Sequence, residues 1–336
     1  MELYPPHTSQ PRRHLISVAD LDRDDVERIL ATAESFESVM HRDLKKVPTL
    51  RGRTVMTVFF ESSTRTSSSF ELAAKRLSAD VVSLKAAGSS VDKGESLRDT
   101  VQTLSAYDPD VIVIRHAAVG AAARVTQATD AHVVNAGDGC HQHPTQCLLD
   151  LYTMRAARGP IDALHVAIVG DISHSRVARS NIQGLLLMGA RVTLVGPPTL
   201  IPRDATSLGV EVSHDIATIA GADVVYVLRM QRERMADGEA YVPSLREYSA
   251  LWGVTSARVR PGQLVMHPGP MNRGVEIAGD VADGPNSGVI DQVRAGLVVR
   301  MAVLYDLLAG PAPADARAAL QPVAAAAGIG AAQEVA

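Results

Sequence analysis

Residues 59–70 read FFESSTRTSSSF, and this segment marks the change from a buried strand to a helix. Apolar residues dominate 55–60 before the turn, and from Phe70 to Leu77 they recur at helical spacing. Ser63–Thr66 therefore lies at a helix N-terminus, where backbone N–H groups lack intrahelical partners and the helix dipole is positive. Together with the hydroxyl groups and the Arg65 guanidinium, this turn is suited to binding a phosphate. The alternative is a Ser/Thr-rich helix cap beside a surface arginine.

Length and charge limit the class of protein. A chain of 336 residues with 46% hydrophobic and 21% charged residues is typical of a soluble globular protein with two domains. Its formal net charge of −4 offers no basic surface to nucleic acid, so any anion site must be a local cluster of cations. Residues 1–14 lack the apolar core of a signal peptide, and the apolar run 185–195 is too short to cross a membrane. We therefore expect no nucleic-acid partner and no membrane association.

The cysteines and histidines give no sign of a disulfide or a metal. Cys140 and Cys147 provide neither a disulfide framework nor the spacing of a metal site, so we expect reduced thiols in a cytoplasmic protein. His141 and His143 lie close together, but no carboxylate or cysteine completes a ligand set at the usual spacing. We predict that the chain holds no metal ion.

Strand-like and helical segments alternate along the chain, which predicts an α/β fold with parallel sheets. In the first half, Arg115 follows the buried run Val111–Ile114, and His143 and Gln146 begin a helix after a strand at 132–136. Open parallel sheets bind ligands at the carboxyl ends of their strands, so the Arg115 side chain is a candidate contact. His143 and Gln146 are three residues apart and share the face at the start of their helix. For Arg115, the alternative is an arginine that simply leaves the core to reach solvent.

The second half contains a unit that is typical of dinucleotide-binding folds but lacks their glycines. A strand at 165–169 leads into the turn 170–176, GDISHSR, and then into a helix. Only Gly170 is present, whereas close approach to a pyrophosphate needs further glycines in this turn. We therefore predict no nicotinamide cofactor.

Further candidate contacts follow the strands of this half. Arg176 begins the helix after that turn, and Arg229 and Gln231 follow a buried strand at 224–228. Arg176 either pairs with a neighbouring carboxylate or binds a ligand, and the segment from Arg229 is either a solvated basic end of the strand or a ligand contact. Residues 267–270, HPGP, contain two prolines that fix the backbone, and form either a rigid turn or a loop that presents carbonyl groups to a ligand.

Two remaining segments are polar or amphipathic. The loop 88–96, GSSVDKGES, contains Lys93 and is either flexible filler or a mobile binding loop. An apolar stripe from Ile290 to Leu308 predicts a C-terminal helix. The Ala/Pro-rich residues 311–336 predict a flexible tail.

From about Leu15 to about Leu308, these motifs and their order resemble the aspartate and ornithine carbamoyltransferase family. Ser-Thr-Arg-Thr at 63–66 is similar to the carbamoyl-phosphate motif of that family. Arg-Met-Gln at 229–231 is similar to the segment with which its aspartate enzymes hold the amino acid. The ornithine enzymes carry a cysteine beside the histidine at 267, where this chain has Pro268, so the resemblance favours aspartate as the acceptor. Ornithine or another amino acid is the alternative.

The resemblance implies an α/β fold of two doubly wound parallel-sheet domains joined by a linking helix. Residues 1–150 would bind carbamoyl phosphate and residues 151–290 would bind aspartate. A C-terminal helix at 291–310 would pack back on the first domain, ahead of the flexible tail at 311–336.

The resemblance also implies roles for individual residues. The implied catalytic residues are Arg65, Thr66, Arg115 and His143. The implied carbamoyl-phosphate contacts are Ser63, Thr64, Arg65, Thr66, Arg115, His143, Gln146, Gly269 and Pro270. The implied aspartate contacts are Lys93, Arg176, Arg229 and Gln231. Lys93, with either Ser89 or Ser90, would reach the active site of a neighbouring subunit, which implies a homotrimer with shared sites.

The implied reaction transfers the carbamoyl group from carbamoyl phosphate to the amine of L-aspartate. The products would be N-carbamoyl-L-aspartate and phosphate, in de novo pyrimidine (UMP) biosynthesis. The implied partners are these two substrates and further copies of the chain, and no cofactor is implied. A regulatory chain or a dihydroorotase is a further candidate for a larger assembly.

Overall fold

The structure is a computed structural model that describes residues 14–85, 94–231 and 242–309. Two five-stranded sheets lie at the centres of its two halves, and every pairing between their strands is parallel. The strands of the first sheet are β1 His14–Leu15, β2 Thr54–Phe59, β3 Asp80–Lys85, β4 Val111–His116 and β5 His132–Asp138. The strands of the second sheet are β6 His165–Val169, β7 Arg191–Val195, β8 Glu211–Ser213, β9 Val224–Val227 and β10 Leu264–Met266.

Helices cover both faces of the sheets, as parallel strands require. Those in the first half are α1 Arg23–Met40, α2 Thr64–Arg76, α3 Leu97–Ser105, α4 Ala121–Val125 and α5 Pro144–Arg158. Those in the second half are α6 Arg176–Leu187, α7 Leu245–Trp252, α8 Gly279–Ala282 and α9 Val289–Ala309. Within the described part of the chain, every helix is too short or too polar to span a bilayer.

In the first sheet the strand order is β1-β5-β4-β2-β3, so the chain changes direction across the sheet between β2 and β4. The four β-branched residues that begin β4 are almost completely buried, which explains why this strand lies in the middle. Ligands of open α/β sheets bind at such a switch point, beyond the carboxyl ends of the strands. The Ser63–Thr66 turn follows β2 and Arg115 lies near the end of β4, so both flank this position.

The second sheet repeats this arrangement in the order β10-β9-β6-β7-β8, with its switch point between β6 and β9. The turn after β6 carries Arg176, and the segment after β9 carries Arg229 and Gln231. Each sheet therefore places its predicted contact residues at its own switch point.

The two halves are tied together by α5 and α9. Helix α5 follows β5 of the first sheet, precedes β6 of the second, and packs against both α6 and α9. Helix α9 comes last in the described chain but packs on α1 and α2 of the first half. An ion pair of 2.9 Å between Arg28 and Asp306 joins α1 to α9, and the Arg300 guanidinium lies over the Phe70 ring of α2. The predicted fold class is confirmed, with the linking helix and the returning C-terminal helix.

The domain boundaries stay predictions. The proposed boundary at residue 150 falls within α5, and the proposed C-terminal helix at 291–310 corresponds to α9. The predicted tail at 311–336 lies outside the described residues.

Candidate active site

The turn between β2 and α2 presents an open helix N-terminus. Ser63 is the N-cap residue in extended conformation, but its side chain makes no capping hydrogen bond to the first turn. Thr66 is buried in that turn, and Arg65 projects from it. The Arg65 guanidinium carbon lies 2.8 Å from the point where a Cβ would stand on Gly269, whose φ is +62°. The turn Ser63–Thr66 of the first half, the candidate phosphate site, therefore contacts the HPGP loop of the second half.

Glu61 draws two of the predicted cations together. Its Oε2 lies 3.2 Å from Nε of Arg115 at the end of β4, and it also accepts a short hydrogen bond from Arg176 at the start of α6. Gly137 lies beside both guanidinium groups, because a Cβ at that position would stand 2.9 Å from Arg176 Nη1 and 3.3 Å from Arg115 Nη1. Arg115 also donates to the Ala136 carbonyl at 3.3 Å. A cation from each half of the chain thus shares one carboxylate.

His143 and Gln146 are positioned by the first turn of α5. His143 is the buried N-cap residue, and its backbone N–H donates to Ser180 Oγ of α6 at 2.8 Å. Pro144 occupies the first helical position, where its missing N–H is not needed. Gln146 is 8% exposed, and its Nε2 donates to Asp150 one turn later at 3.0 Å. The two predicted contacts therefore lie together at the junction of α5 and α6.

Asp150 is a buried carboxylate that the sequence analysis did not identify. Its Oδ1 accepts hydrogen bonds from Gln146 and from Gln292 of α9, and its Oδ2 accepts from Asn181 of α6 and Tyr226 of β9. Burial raises the pKa of Asp150 to about 6, although the four hydrogen bonds oppose the shift. One carboxyl group thus connects four secondary-structure elements immediately behind the site.

The HPGP loop is held at its first residue. The His267 N–H donates to Gln292 Oε1 at 2.9 Å, and His267 Nδ1 accepts the Gly269 N–H at 2.8 Å. Its Nε2 faces Glu276 at 3.4 Å, and both side chains are fully buried. Burial lowers the pKa of His267, although Glu276 opposes the shift, and the positive charges of Arg65 and Arg229 add to it. These contacts leave the imidazole neutral and the loop fixed.

Arg229 and Gln231 form a unit after β9. The Arg229 guanidinium donates to Gln231 Oε1 at 3.1 Å, and the Gln231 backbone N–H donates to Asp171 Oδ2 at 3.0 Å. The other Asp171 oxygen accepts from the His174 backbone N–H and lies 2.7 Å from its ring Nδ1. Asp171, at the end of β6, therefore connects the two segments that meet at the switch point of the second sheet.

The predicted site residues are thus brought to one region, with three outside the described chain. Residues after β2, β4 and β5 of the first sheet meet residues after β6, β9 and β10 of the second. Lys93, Ser89 and Ser90 lie outside the described residues. Within the described chain, no group of three or more histidine, cysteine, aspartate or glutamate side chains is arranged to hold a metal ion.

The sequence analysis missed several residues that support the site. They are Glu61, Asp150, Asp171, Glu276 and Gln292. Two had a local signal in the sequence: Glu61 lies within the segment 59–70, and Asp150 lies one helical turn after Gln146. Asp171 and Gln292 reach the site through contacts with segments that are distant in sequence, and Glu276 lies nine residues after His267 with no periodic pattern to mark the pair.

The arrangement is suited to a ligand with several negative charges. Arg65, Arg115, Arg176 and Arg229 come from four separate strand ends, in a chain of net charge −4. Partial burial lowers the pKa of the exposed Arg65 guanidinium, and a bound anion would stabilise its positive charge. Planar guanidinium groups bind phosphate and carboxylate oxygens in pairs.

Comparison with known proteins gives the family. Residues 13–156 match the family model described as "Aspartate/ornithine carbamoyltransferase, carbamoyl-P binding domain", and residues 162–307 match the corresponding "Asp/Orn binding domain". The chain is 54% identical over 322 residues to the aspartate carbamoyltransferase catalytic subunit of Acidothermus cellulolyticus, covering 95% of this chain and 99% of that one. It is 56% identical over 302 residues to the subunit of the same name from Frankia casuarinae, covering 89% and 94%.

Solved structures agree with this similarity. Aspartate transcarbamoylase from Trypanosoma cruzi, in complex with carbamoyl aspartate and phosphate, superimposes with a TM-score of 0.81 at 31% identity, covering 92% of this chain and all of that one. The catalytic subunit from M. jannaschii gives a TM-score of 0.78 at 35% identity, covering 89% and 98%. Two family models that together span most of the chain, and relatives above 50% identity over nearly their full length, establish that the chain belongs to the aspartate/ornithine carbamoyltransferase family.

Proposed function

We propose that this chain is an aspartate carbamoyltransferase, which transfers the carbamoyl group of carbamoyl phosphate to the amine of L-aspartate. The observation that carries the proposal is the meeting of cations from both sheets, with Arg115 and Arg176 on one carboxylate of Glu61. The relatives named above are aspartate carbamoyltransferase catalytic subunits. The structure of the Trypanosoma cruzi enzyme in complex with carbamoyl phosphate and aspartate superimposes on this chain with a TM-score of 0.81.

The first half of the chain holds carbamoyl phosphate in this proposal. Its phosphate lies at the α2 N-terminus, with the hydroxyls of Ser63 and Thr64, the backbone N–H groups and Arg65. The open first turn of α2 and the position of Arg65 in that turn support this placement. Thr66, Arg115 and His143 donate to the carbamoyl oxygen. Gln146 and the carbonyl groups of Gly269 and Pro270 accept from the carbamoyl amino group.

Aspartate lies on the side of the second sheet. Arg176, Arg229 and Gln231 bind its carboxylates, and Lys93 adds a further cation. This assignment is supported by the Arg229–Gln231 contact of 3.1 Å and by the hydrogen bond that holds the Gln231 backbone to Asp171. We propose that residues 1–150 form the carbamoyl-phosphate domain and residues 151–290 the aspartate domain, with the helix at 291–310 packed on the first.

The reaction begins when the aspartate amine attacks the carbamoyl carbon. The C–N bond forms and the carbonyl π electrons move to oxygen, whose negative charge is stabilised by Thr66, Arg115 and His143. The C–O bond to phosphate then breaks, the carbonyl re-forms, and phosphate leaves with the bonding electrons. Removing one such oxyanion donor costs about 3–4 kcal/mol in the transition state. Alignment of the two bound substrates contributes on the order of 7 kcal/mol or more.

We infer that the departing phosphate accepts the proton from the amine. His267 is a poor candidate base, because its Nδ1 already accepts the Gly269 N–H and its ring is buried. A phosphate dianion is basic near neutral pH and is formed beside the new C–N bond. Solvent isotope effects and a pH–rate profile test this step. A required protein base in the enzyme–substrate complex would contradict it.

The direct test of function is the formation of N-carbamoyl-aspartate from carbamoyl phosphate and L-aspartate. Ornithine is the matched acceptor, because it shares the amino-acid backbone but carries a cation in place of the second carboxylate. We expect turnover with aspartate and at most trace turnover with ornithine. Preference for ornithine would contradict the proposal.

We also propose a homotrimer in which neighbouring subunits share active sites through Lys93 and either Ser89 or Ser90. The family resemblance of the loop 88–96 supports this proposal. Lys93→Ala and Arg65→Ala subunits should each be inactive, and mixing them after subunit exchange should restore activity. Hybrids that remain silent after verified exchange would reject a shared site.

The wider setting is part of the same proposal. Carbamoyl aspartate formation belongs to pyrimidine biosynthesis, and the two free thiols Cys140 and Cys147 are consistent with a cytoplasmic enzyme. A regulatory chain or a dihydroorotase is a candidate partner for a larger assembly. Size measurement of the purified protein alone and with such partners tests the assembly.

A further inference from the structure

Two hydrogen bonds end on one oxygen of Asp150 and lead to opposite sides of the site. Gln146 Nε2 donates to Oδ1 at 3.0 Å from the same helix, α5. Gln292 Nε2 donates to the same Oδ1 at 2.8 Å from α9. The other end of the Gln292 amide accepts the His267 N–H at 2.9 Å, at the start of the HPGP loop. The carboxylate therefore contacts Gln146 directly and reaches the HPGP loop through Gln292, and both are proposed to contact the carbamoyl amino group.

An ionised carboxylate accepts hydrogen bonds and donates none. Each glutamine must therefore turn its N–H₂ group toward Asp150, and the planar amide then directs its oxygen away from it. For Gln146, which is 8% exposed, the oxygen becomes the group available to a ligand. For Gln292, the oxygen becomes the acceptor that holds His267 and with it the loop. The Gln146 oxygen thus faces the ligand directly, whereas the Gln292 oxygen acts indirectly, by holding the loop that carries the Gly269 and Pro270 carbonyl groups.

We propose that Asp150 is a positioning residue that makes the site selective for a carbamoyl group over an acyl group of the same shape. Asp150 sets the direction of the Gln146 amide and, through Gln292, holds the HPGP loop. The Gln146 oxygen and the loop carbonyl groups are then acceptors that an –NH₂ group satisfies and a –CH₃ group does not. Acetyl phosphate differs from carbamoyl phosphate only in this substitution. The inference deepens the proposed function, because it rests on the proposed contact between Gln146 and the carbamoyl group.

The surroundings of Asp150 support an ionised carboxylate at neutral pH. Burial raises its pKa only to about 6, because four donors stabilise the charged form. The ionisable groups around it are Arg300 on α9, Tyr226 on β9 and Cys147 on α5 itself. Arg300 is buried and charged, although burial lowers its pKa to about 10, and it favours the carboxylate. Burial raises the pKa of Tyr226 and of Cys147, so both stay protonated.

The experiment compares the affinity for carbamoyl phosphate with that for acetyl phosphate, measured as a competitive inhibitor. In Asp150→Asn the two glutamines lose their charged acceptor, and in Gln292→Leu the loop loses its link to Asp150. We expect each variant to reduce the preference for carbamoyl phosphate by about fivefold, the effect of one hydrogen bond. The KM for aspartate should change by less than about twofold, whereas general loosening of the fold would weaken all three ligands together.

Two further variants separate the possible causes. Tyr226→Phe removes a donor to Oδ2 but leaves both bonds to Oδ1, so its preference should stay within about twofold of the parent. Gln146→Leu removes the proposed acceptor itself and should lower the preference at least as much as Asp150→Asn. Tyr226→Phe is therefore the matched control, and Gln146→Leu is the reference for full loss of the proposed contact.

The outcomes are distinguishable. If Gln146→Leu leaves the preference unchanged, the proposed carbamoyl contact fails, and the inference fails with it. If Gln146→Leu lowers the preference but folded Asp150→Asn and Gln292→Leu do not, only the role of Asp150 is overturned. An equal loss in Tyr226→Phe also overturns it. Should Asp150→Asn not fold, Gln292→Leu decides the question alone.

Discussion

Glu61 pairs with one arginine from each half of the site, so neutralising this carboxylate tests directly how the two halves are held together. Its Oε2 faces Arg115 Nε at 3.2 Å in the first half and accepts from Arg176 in the second. Glu61→Gln keeps the size of the side chain and an uncharged acceptor but removes the charge that both guanidinium groups share. The Arg176 side chain is only 3% exposed, so water cannot replace the lost partner there.

The magnitude lies between two limits. Removing one partner of a fully buried ion pair costs about 3–5 kcal/mol, whereas an exposed pair contributes about 0–1 kcal/mol. Glu61 is 28% exposed and Arg115 15%, and glutamine retains a hydrogen bond, so we expect a loss of about 2 kcal/mol in the free protein. A bound substrate supplies carboxylate and phosphate oxygens to the same arginines. The loss should therefore shrink when the site is filled.

The assay is denaturant unfolding with and without a phosphonate–aspartate bisubstrate analogue, together with the KM for aspartate. We expect Glu61→Gln to be destabilised mainly in the free state. Because the ligand then recovers part of the lost stability, the variant should bind it more tightly, and its KM for aspartate should fall about tenfold, or about 1.4 kcal/mol. Glu71→Gln is the matched control, since Glu71 pairs with Lys75 on the exposed face of α2. Equal destabilisation with and without ligand, or an unchanged KM for aspartate, would refute the reasoning.

Three further predictions test separate parts of the account. The pKa of Asp150 is raised from 3.8 to about 6 in the folded state, so its contribution to stability is present below about pH 4 and lost as pH rises through 6. The free energy of unfolding of Asp150→Asn minus that of the parent should therefore rise by on the order of 3 kcal/mol between pH 4 and pH 7. Urea unfolding measures it, and a difference that does not change with pH would contradict this prediction. Arg65→Lys keeps the charge but loses the planar guanidinium group beside Gly269, so kcat/KM for carbamoyl phosphate should fall about 100-fold. A fall of less than about threefold would exclude two-point binding of the phosphate by Arg65. Asp171→Asn loosens the Gln231 backbone, so steady-state kinetics should show a KM for aspartate raised about fivefold and an unchanged KM for carbamoyl phosphate, and equal changes in both would be inconsistent with separate half-sites.

Much of the fold could be predicted because its central strands are strongly apolar. The run Val111–Ile114 indicated a buried strand, and β4 occupies the middle of the first sheet. The strand β6 was predicted with the bounds that the structure has, since a turn follows it directly. The short edge strands β1 and β8 were not predicted, because two or three residues carry no periodic pattern.

The site residues could be predicted where chemistry is local to one strand end. Arg65 and Arg115 each follow an apolar strand, which is a signal within a few residues. The pairing of Glu61 with Arg176 spans 115 residues, and no spacing within the sequence predicts it. Gln292 is hidden for the same reason, because its contact with Asp150 spans 142 residues. Contacts between distant segments depend on how the two sheets are placed, which the helix and strand patterns do not specify.

The central claim is that strand ends from both sheets form one site for two anionic substrates. Calorimetric titration with the phosphonate–aspartate analogue tests it most directly, using the parent, Arg65→Ala and Arg229→Ala. We expect the parent to bind one analogue per chain and each variant to bind it more weakly, since each removes a cation from a different half. Binding by either variant with the affinity of the parent would contradict the claim.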